Sequence, residues 1–482
     1  MEGTMLRVAL AFGCLMVMLA VVTARADNWP QFRGPRSDGA VGAAGLPFEW
    51  DLETNIRWKT PVPGEGWSAP IVWGNKLFLT TAVLQQPPQG YSRQSAQPEP
   101  YQGGGGRLRS DLTSAIYSWQ LFCLDTETGE LLWHRVARDG TPRTARHSSN
   151  TYATETPVTD GERVYAYFGM NGLYCYDLAG NLVWHKDLGS YDTRAGWGTA
   201  SSPVLYRGKL YLQIDNEEQS FLVALDAESG RQVWRVPRDE ATQYSSPVIW
   251  QNSQRAELVA GGMIYRSYDP ETGSLLWQLD MAKGRSVATP VADGDRLYVG
   301  TEFRNRGGPD DGGGFLFAVK AGASGDITPA AGASSSDGVA WRCPEAGIQM
   351  ASPIVCRGYI YLFERRLSIV HCIDAKTGER VFRERVPGGR PFWASPWSFD
   401  GRIFAPDDAG TVHVVEPGRE LNVLRRNEIG ERVWSTPAMT NGSLFLRGIE
   451  SLYCIARSDA AEEPIQLDVP LTERTHNCQA QG

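Results

Sequence analysis

Eight times in this chain a small or hydroxyl-bearing residue precedes a proline that opens a short apolar run: Pro70, Pro157, Pro203, Pro247, Pro290, Pro353, Pro396 and Pro437. Most successive spacings are 41–46 residues, and two are longer. The copy at Ser202–Trp234 shows what each unit contains. Pro203 opens a run that ends at Tyr206, and Arg207-Gly208 turns the chain. Leu210, Leu212 and Ile214 then alternate with polar residues, the period of a strand. A polar turn, Asp215–Gln219, leads into Phe221–Leu225, which is apolar on both faces. Asp226-Ala-Glu-Ser-Gly230 follows, and Gln232–Val236 closes the unit. The aspartate caps its own turn through its side chain. The glycine supplies the positive φ that such a turn needs.

The closing tryptophan recurs at Trp133, Trp184, Trp234, Trp277 and Trp341, with Phe382 in the sixth copy. Most have a glycine four residues earlier: Gly129, Gly180, Gly230, Gly273 and Gly378. A four-stranded unit that is apolar on both faces must stack on copies of itself, and this period is that of a propeller blade. There are eight openings but seven closings. Asn55–Thr60 reads as a closing strand without a blade, and Ser435–Arg457 as a blade without its closing strand. Pairing them shuts the ring and removes an open sheet edge. The expected fold is therefore all-β: an eight-bladed β-propeller of four-stranded antiparallel blades, closed by an N-terminal strand.

Residues 1–26 read as a signal peptide. The apolar run Val8–Val22 is too short to span a bilayer, and Ala24-Arg25-Ala26 is a small-x-small cleavage site. Export to the periplasm or the outside is expected, with a mature chain that is monomeric and lacks a transmembrane span. Residues 27–54 form an arm whose Trp29 and Phe32 lie between prolines and are expected to pack across the ring. Residues 55–457 form the propeller, interrupted at 84–118 and 303–339, and 458–482 are a polar tail. Ala321–Gly338 is expected on the face opposite the blade-to-blade crossovers. The formal charge of −8 comes without a basic stripe, which argues against a nucleic-acid partner. Cys123, Cys175, Cys372 and Cys454 share one slot beside the turn and read as small apolar filler. Cys343 and Cys356 are a pair that an oxidising compartment would allow to join.

No catalytic residue is assigned. The carboxylates Asp125, Asp177, Asp226, Asp269 and Asp374 recur because the turn requires them. The six histidines lack metal-ligand spacing, so no metal site is expected. Asp215–Glu218 and Asp407-Asp408 read as solvated hairpin tips rather than Ca²⁺ loops. The more informative set surrounds the ring axis. Three residues before each opening proline stand Trp67, Thr154, Ala200, Tyr244, Val287, Met350, Trp393 and Trp434. Blades seven, eight and one are neighbours, so Trp393, Trp434 and Trp67 are expected to form an arc at the channel mouth. Glu65, Arg390 and Arg432 fall near them, with Arg285 and Arg194 on other blades. Aromatic faces beside arginines suit a flat anionic ligand or a sugar. The competing expectation is that these rings merely fill the wide end of the torus.

The pattern Leu-Asp-x-x-(Ser/Thr)-Gly-x-x-x-Trp at Leu124–Trp133 and Leu225–Trp234 resembles the pyrroloquinoline-quinone (PQQ) type propeller repeat. That family includes quinoprotein alcohol dehydrogenases and the outer-membrane protein assembly lipoprotein. The segment Trp29–Pro35 is similar to the opening of many exported PQQ-like proteins of planctomycete-type bacteria. The resemblance implies PQQ with Ca²⁺ as a possible cofactor. The adjacent cysteine pair, the calcium-binding Glu, Asn and Asp, and the catalytic Asp of the dehydrogenases have no recognisable counterpart here. Nor does the lipid-bearing cysteine of the assembly protein. The expected function is an exported propeller that binds a protein or glycan at its crossover face, without a cofactor. The alternative is a PQQ-dependent dehydrogenase oxidising an alcohol or sugar.

Overall fold

The computed structural model describes residues 28–42, 45–88, 110–282, 284–302, 314–344, 346, 348–365 and 367–457. The expected signal peptide, most of the first insertion, residues 303–313 and the tail lie outside them. The described residues form eight sheets. Every opening proline is followed directly by the innermost strand of a blade: Ile71–Trp73, Val158–Thr159, Val204–Tyr206, Val248–Gln251, Val291–Asp293, Ile354–Cys356, Trp397–Phe399 and Ala438–Thr440. From each of these strands the sheet runs outward by antiparallel pairing. In blade eight the order from the rim inward is Ile56–Pro61, Ser451–Ala456, Ser443–Arg447, Ala438–Thr440. Trp58 stands opposite Cys454 and Lys59 opposite Tyr453, so the N-terminal strand closes the ring as the count of openings required.

Neighbouring blades bury their apolar faces on each other. Tyr165 and Leu173 of blade two, for example, pack with Leu212 and Phe221 of blade three. Two repeated locks sit on this packing. At the rim, each turn glycine faces the closing tryptophan of the preceding blade, as Gly180 does Trp133 and Gly230 does Trp184. Each of those indoles donates across the blade boundary: Trp58 to the Thr126 carbonyl, Trp133 to Leu178, Trp184 to Ala227, Trp234 to Pro270 and Trp341 to Ala375, at 3.0–3.2 Å. Near the axis, the residue before each opening proline explains its own hydroxyl. The backbone N–H of Ala69 donates to Thr156 Oγ1, Thr156 to Ser202, Ser202 to Ser246, Ser246 to Thr289, Thr289 to Ser352 and Ser352 to Ser395.

Ala69 offers no hydroxyl to blade eight. Buried Arg447 spans that seam instead, donating to Ser68 Oγ at 2.7 Å and to the Thr80 carbonyl at 2.8 Å. Among the described residues no carboxylate compensates it, and burial pushes its guanidinium down to about 9.

The arm lies across the axis on the face opposite the crossovers. Trp29 pairs with Val72, and Ala40 with Ser398. Between them Arg33 is fully buried and donates to the Pro353 carbonyl.

Three expectations change. Cys343 and Cys356 are not joined to each other. One lies on the outermost strand of blade five and the other on the innermost strand of blade six. That is about three strand spacings, roughly 14 Å, in radius, beyond the reach of a disulfide. The first insertion is shorter than expected, because its flanks extend the hairpin: strand Lys76–Gln86 pairs with Ile116–Asp125. The second insertion is not simply a surface loop. Its Gly325–Asp326 adds in parallel to the outer strand of blade four, making that sheet five-stranded.

Candidate ligand-binding mouth

The position three residues before each opening proline rings the axis at the crossover face. Seven of the eight residues are half-buried, and Trp434 is 8% exposed. The structure brings Trp393, Trp434 and Trp67 together. Trp393 and Trp434 stack at 4.7 Å with their planes 7° apart, and Trp67 lies 4.8 Å from Trp434, tilted by 41°. Arg365, from a hairpin of blade six, covers the other side of Trp393 at 5.0 Å. The result is a column, Arg365–Trp393–Trp434–Trp67, running from blade six to blade one.

The expected open aromatic faces are therefore largely used inside the column. Trp67 Nε1 donates to the Ser149 carbonyl at 3.1 Å. The indole N–H groups of Trp393 and Trp434 are buried and find no acceptor among the described residues.

A second cluster lies on blades three to five. Arg285 sits 4.7 Å over Trp197 and 5.9 Å over Tyr244, and pairs with Glu302 at 2.6 Å. Arg194 lies 6.0 Å over Trp197, whose ring meets the edge of His147. Burial, then Arg365 and Arg146, lower the His147 pKa, so this imidazole lies within the field of the first cluster. Trp197 and Arg365 were missed in the sequence, and His147 was read only as part of the long basic crossover Arg135–Thr154 with Arg138, Arg143 and Arg146. They sit on crossovers and a hairpin, where the repeat register gives no signal beyond the basic character of Arg135–Thr154.

The remaining candidates scatter. Glu65 is held by buried Arg146 at 2.6 Å and does not join the column. Arg390 and Arg432 flank Asp408. Burial raises the Asp408 pKa, nearby Asp407 adds to this, and the two arginines oppose it. Neither acidic hairpin is the solvated tip expected. Asp407 is buried against His413 Nε2 at 3.0 Å. Asp215 is fully buried in an ion pair with Arg238 at 2.9 Å. The Arg238 charge makes the burial of Asp215 tolerable, and the contact with the His413 ring gives Asp407 a hydrogen-bond partner.

The mouth is rich in donors. Trp393 Nε1, Trp434 Nε1, Arg285 Nε and Arg146 Nε have no acceptor among the described residues, and the Tyr244 hydroxyl is also unpartnered. Asp408 Oδ1 and the hydroxyls of Ser245 and Thr301 are buried acceptors without a partner among the described residues. A calcium-bound quinone asks for a different set, several oxygen ligands on one site. Among the described residues no group of three or more His, Cys, Asp or Glu gathers to hold an ion, and no two cysteines are adjacent.

A repeat propeller closed by its own N-terminal strand, with blades locked by a tryptophan–glycine seam, defines the class of protein. The sequence profile described as outer membrane protein assembly factor BamB matches residues 44–195 and again 93–262, offset by about one blade. Over residues 44–262 the chain matches the PQQ-like propeller family. No curated protein sequence matches it. Among solved structures, BamB from Moraxella catarrhalis is 14% identical, covering 72% of this chain and 90% of that one with a TM-score of 0.50. Quinohemoprotein alcohol dehydrogenase from Comamonas testosteroni is 11% identical, covering 92% and 83%, with a TM-score of 0.54. The enzyme of the same name from Pseudomonas putida HK5 is 10% identical, covering 92% and 82%, also at 0.54. At these identities the likeness shows the fold alone. Among the described residues no helix is long and apolar enough to cross a membrane.

Proposed function

We propose that this chain is an exported, non-catalytic propeller that binds a protein or glycan partner at the mouth of its crossover face. The observation that carries this reading is the surplus of buried N–H donors around the arginine–tryptophan column. Leaving a buried donor unpaired costs roughly 1–3 kcal/mol, so a partner that brings acceptors gains that free energy on binding. The arm crosses the opposite face, which leaves the crossover face as the approach to this set.

The test is capture of envelope components by the immobilised mature chain, with Trp393→Ala and Trp434→Ala as comparators. The reading expects a specific captured component and at least tenfold weaker capture by either variant. Unchanged capture would move the site away from the mouth. Incubation with PQQ and Ca²⁺ addresses the dehydrogenase alternative. A quinone absorbance that survives gel filtration, with dye reduction on adding an alcohol or sugar, would overturn the non-catalytic reading.

A further inference from the structure

The arm uses one slot of the blade repeatedly. The second residue after the opening proline is Val72 in blade one, Thr159 in blade two, Leu205 in blade three and Ser398 in blade seven. Trp29 and Val72 exchange both backbone hydrogen bonds at 2.9 Å. Thr159 N–H donates to the Pro30 carbonyl and Leu205 N–H to Gln31 Oε1. Ser398 donates to Gly39 at 2.9 Å and accepts from Val41 at 3.0 Å. The slot works because this residue sits at the non-hydrogen-bonded position of its hairpin, Val72 opposite Leu77, so its N–H and C=O point toward the axis. Trp29, Pro30 and Gln31 thus cross three successive blades, one residue to each.

Blades five and six repeat the slot at Ala292, opposite Leu297, and Val355, opposite Ile360. No described residue bonds their axis-facing groups. Both residues line a cavity of about 360 Å³ beside the arm. It is also lined by Arg36 and Asp38 from the arm, by Asp293 at the end of the inner strand of blade five and by Arg357 from the turn of blade six. Arg36 and Asp38 pair with each other at 2.7 Å.

We propose that this cavity takes an extended peptide segment of a partner protein, whose backbone pairs with Ala292 and Val355 as the arm pairs with Val72 and Ser398. Backbone addition to an exposed sheet edge is a general recognition mode, and the edge groups here are the ones the chain already uses for it. The volume lies at the small end of ligand pockets, room for a few residues. Two cations and two anions in the lining suit a peptide's mixed polarity rather than a ligand of one sign. The site is on the turn face, so it stands or falls independently of the crossover mouth.

The test pans a random linear heptapeptide library against the full chain and measures enriched, end-capped peptides by fluorescence anisotropy. Ala292→Pro and Val355→Pro each delete one axis-facing N–H that the hairpin does not use, a substitution edge strands accept. Each is expected to weaken binding at least tenfold. Ile249→Pro, the same slot in blade four but outside the cavity, should leave it unchanged. If a proline variant loses its melting transition, amide exchange on the unaltered chain decides instead. Slowed exchange at Ala292 and Val355 on adding peptide supports the site, and unchanged exchange there overturns it. Failure to enrich any heptapeptide, or affinities indifferent to both prolines, also overturns it.

Discussion

Glu155 occupies a slot held by serine or alanine in the other seven blades, directly after the ring of mouth residues. It is fully buried, and burial pushes its carboxyl up from 4.5 to about 7, against a hydrogen bond from the Thr199 hydroxyl. Below pH 4.5 folded and unfolded chains both hold this proton. Between 4.5 and about 7 only the folded chain does, so stability falls as pH rises through that window and then levels off. The shift corresponds to about 3 kcal/mol. Glu155→Gln keeps a partner for Thr199 and removes the titration. Urea midpoints at pH 4, 6 and 8 should show the variant gaining about 3 kcal/mol on the parent across the range, and a constant difference would refute this. At this scale the sequence was informative wherever the proline fixed an offset, which is how Trp67, Trp393 and Trp434 were placed. It misread Asp215 and Asp407 as solvated tips. Their burial depends on Arg238 and His413, which approach from other strands.

The Gly-x-x-x-Trp repeat was legible as a blade signature, but its spacing does not say what the glycine faces. The structure shows glycine and tryptophan meeting across the boundary. Gly230 has φ +68°, and a Cβ there would lie 2.8 Å from the Trp184 ring. Gly208 has φ +70° with open space around it. Gly230→Ala therefore combines left-handed strain with overpacking, about 3 kcal/mol, whereas Gly208→Ala carries only the strain, about 1 kcal/mol. Equal costs in chemical denaturation would dismiss the lock.

The axial hydroxyls make a parallel case. Ser202→Ala strips the acceptor from the buried N–H of Thr156 and should cost about 2 kcal/mol, against near-neutrality for a serine on a turn such as Ser229.

Where an element breaks the pattern, the chain compensates. Blade five lacks the usual turn beside Trp277, because the second insertion replaces it. That indole donates instead to buried Glu257 at 2.6 Å, and Gly325–Asp326 of the same insertion pairs along its strand. Nothing in the local sequence announces this, since the acceptor and the missing turn are on different blades.

Ring closure was readable from a mismatch in counting, eight openings to seven closings, and needed no side-chain detail. That the arm crosses the ring was readable from its Trp29 and Phe32, but the groups on which this plug docks were not. The arm has no periodicity, and its docking depends on edge groups that exist only once the torus is assembled. The two N-terminal segments should therefore fail differently. A chain starting at Gly45 loses Trp29 and Arg33 but keeps Trp50 and the strand Ile56–Pro61. It should still melt cooperatively as one species, at a lower temperature, with the slots at Val72 and Ser398 opened to solvent. A chain starting at Pro63 also loses Trp58, hence the indole that faces Gly129 and donates to Thr126. Its strand Ser451–Ala456, buried along its whole length, becomes an open edge. An exposed apolar edge of this kind templates association between copies, so this chain should elute as aggregates. Calorimetry and gel filtration on the two truncations separate plug from closure. Were both to elute and melt alike, the donated strand would not be what holds the torus shut.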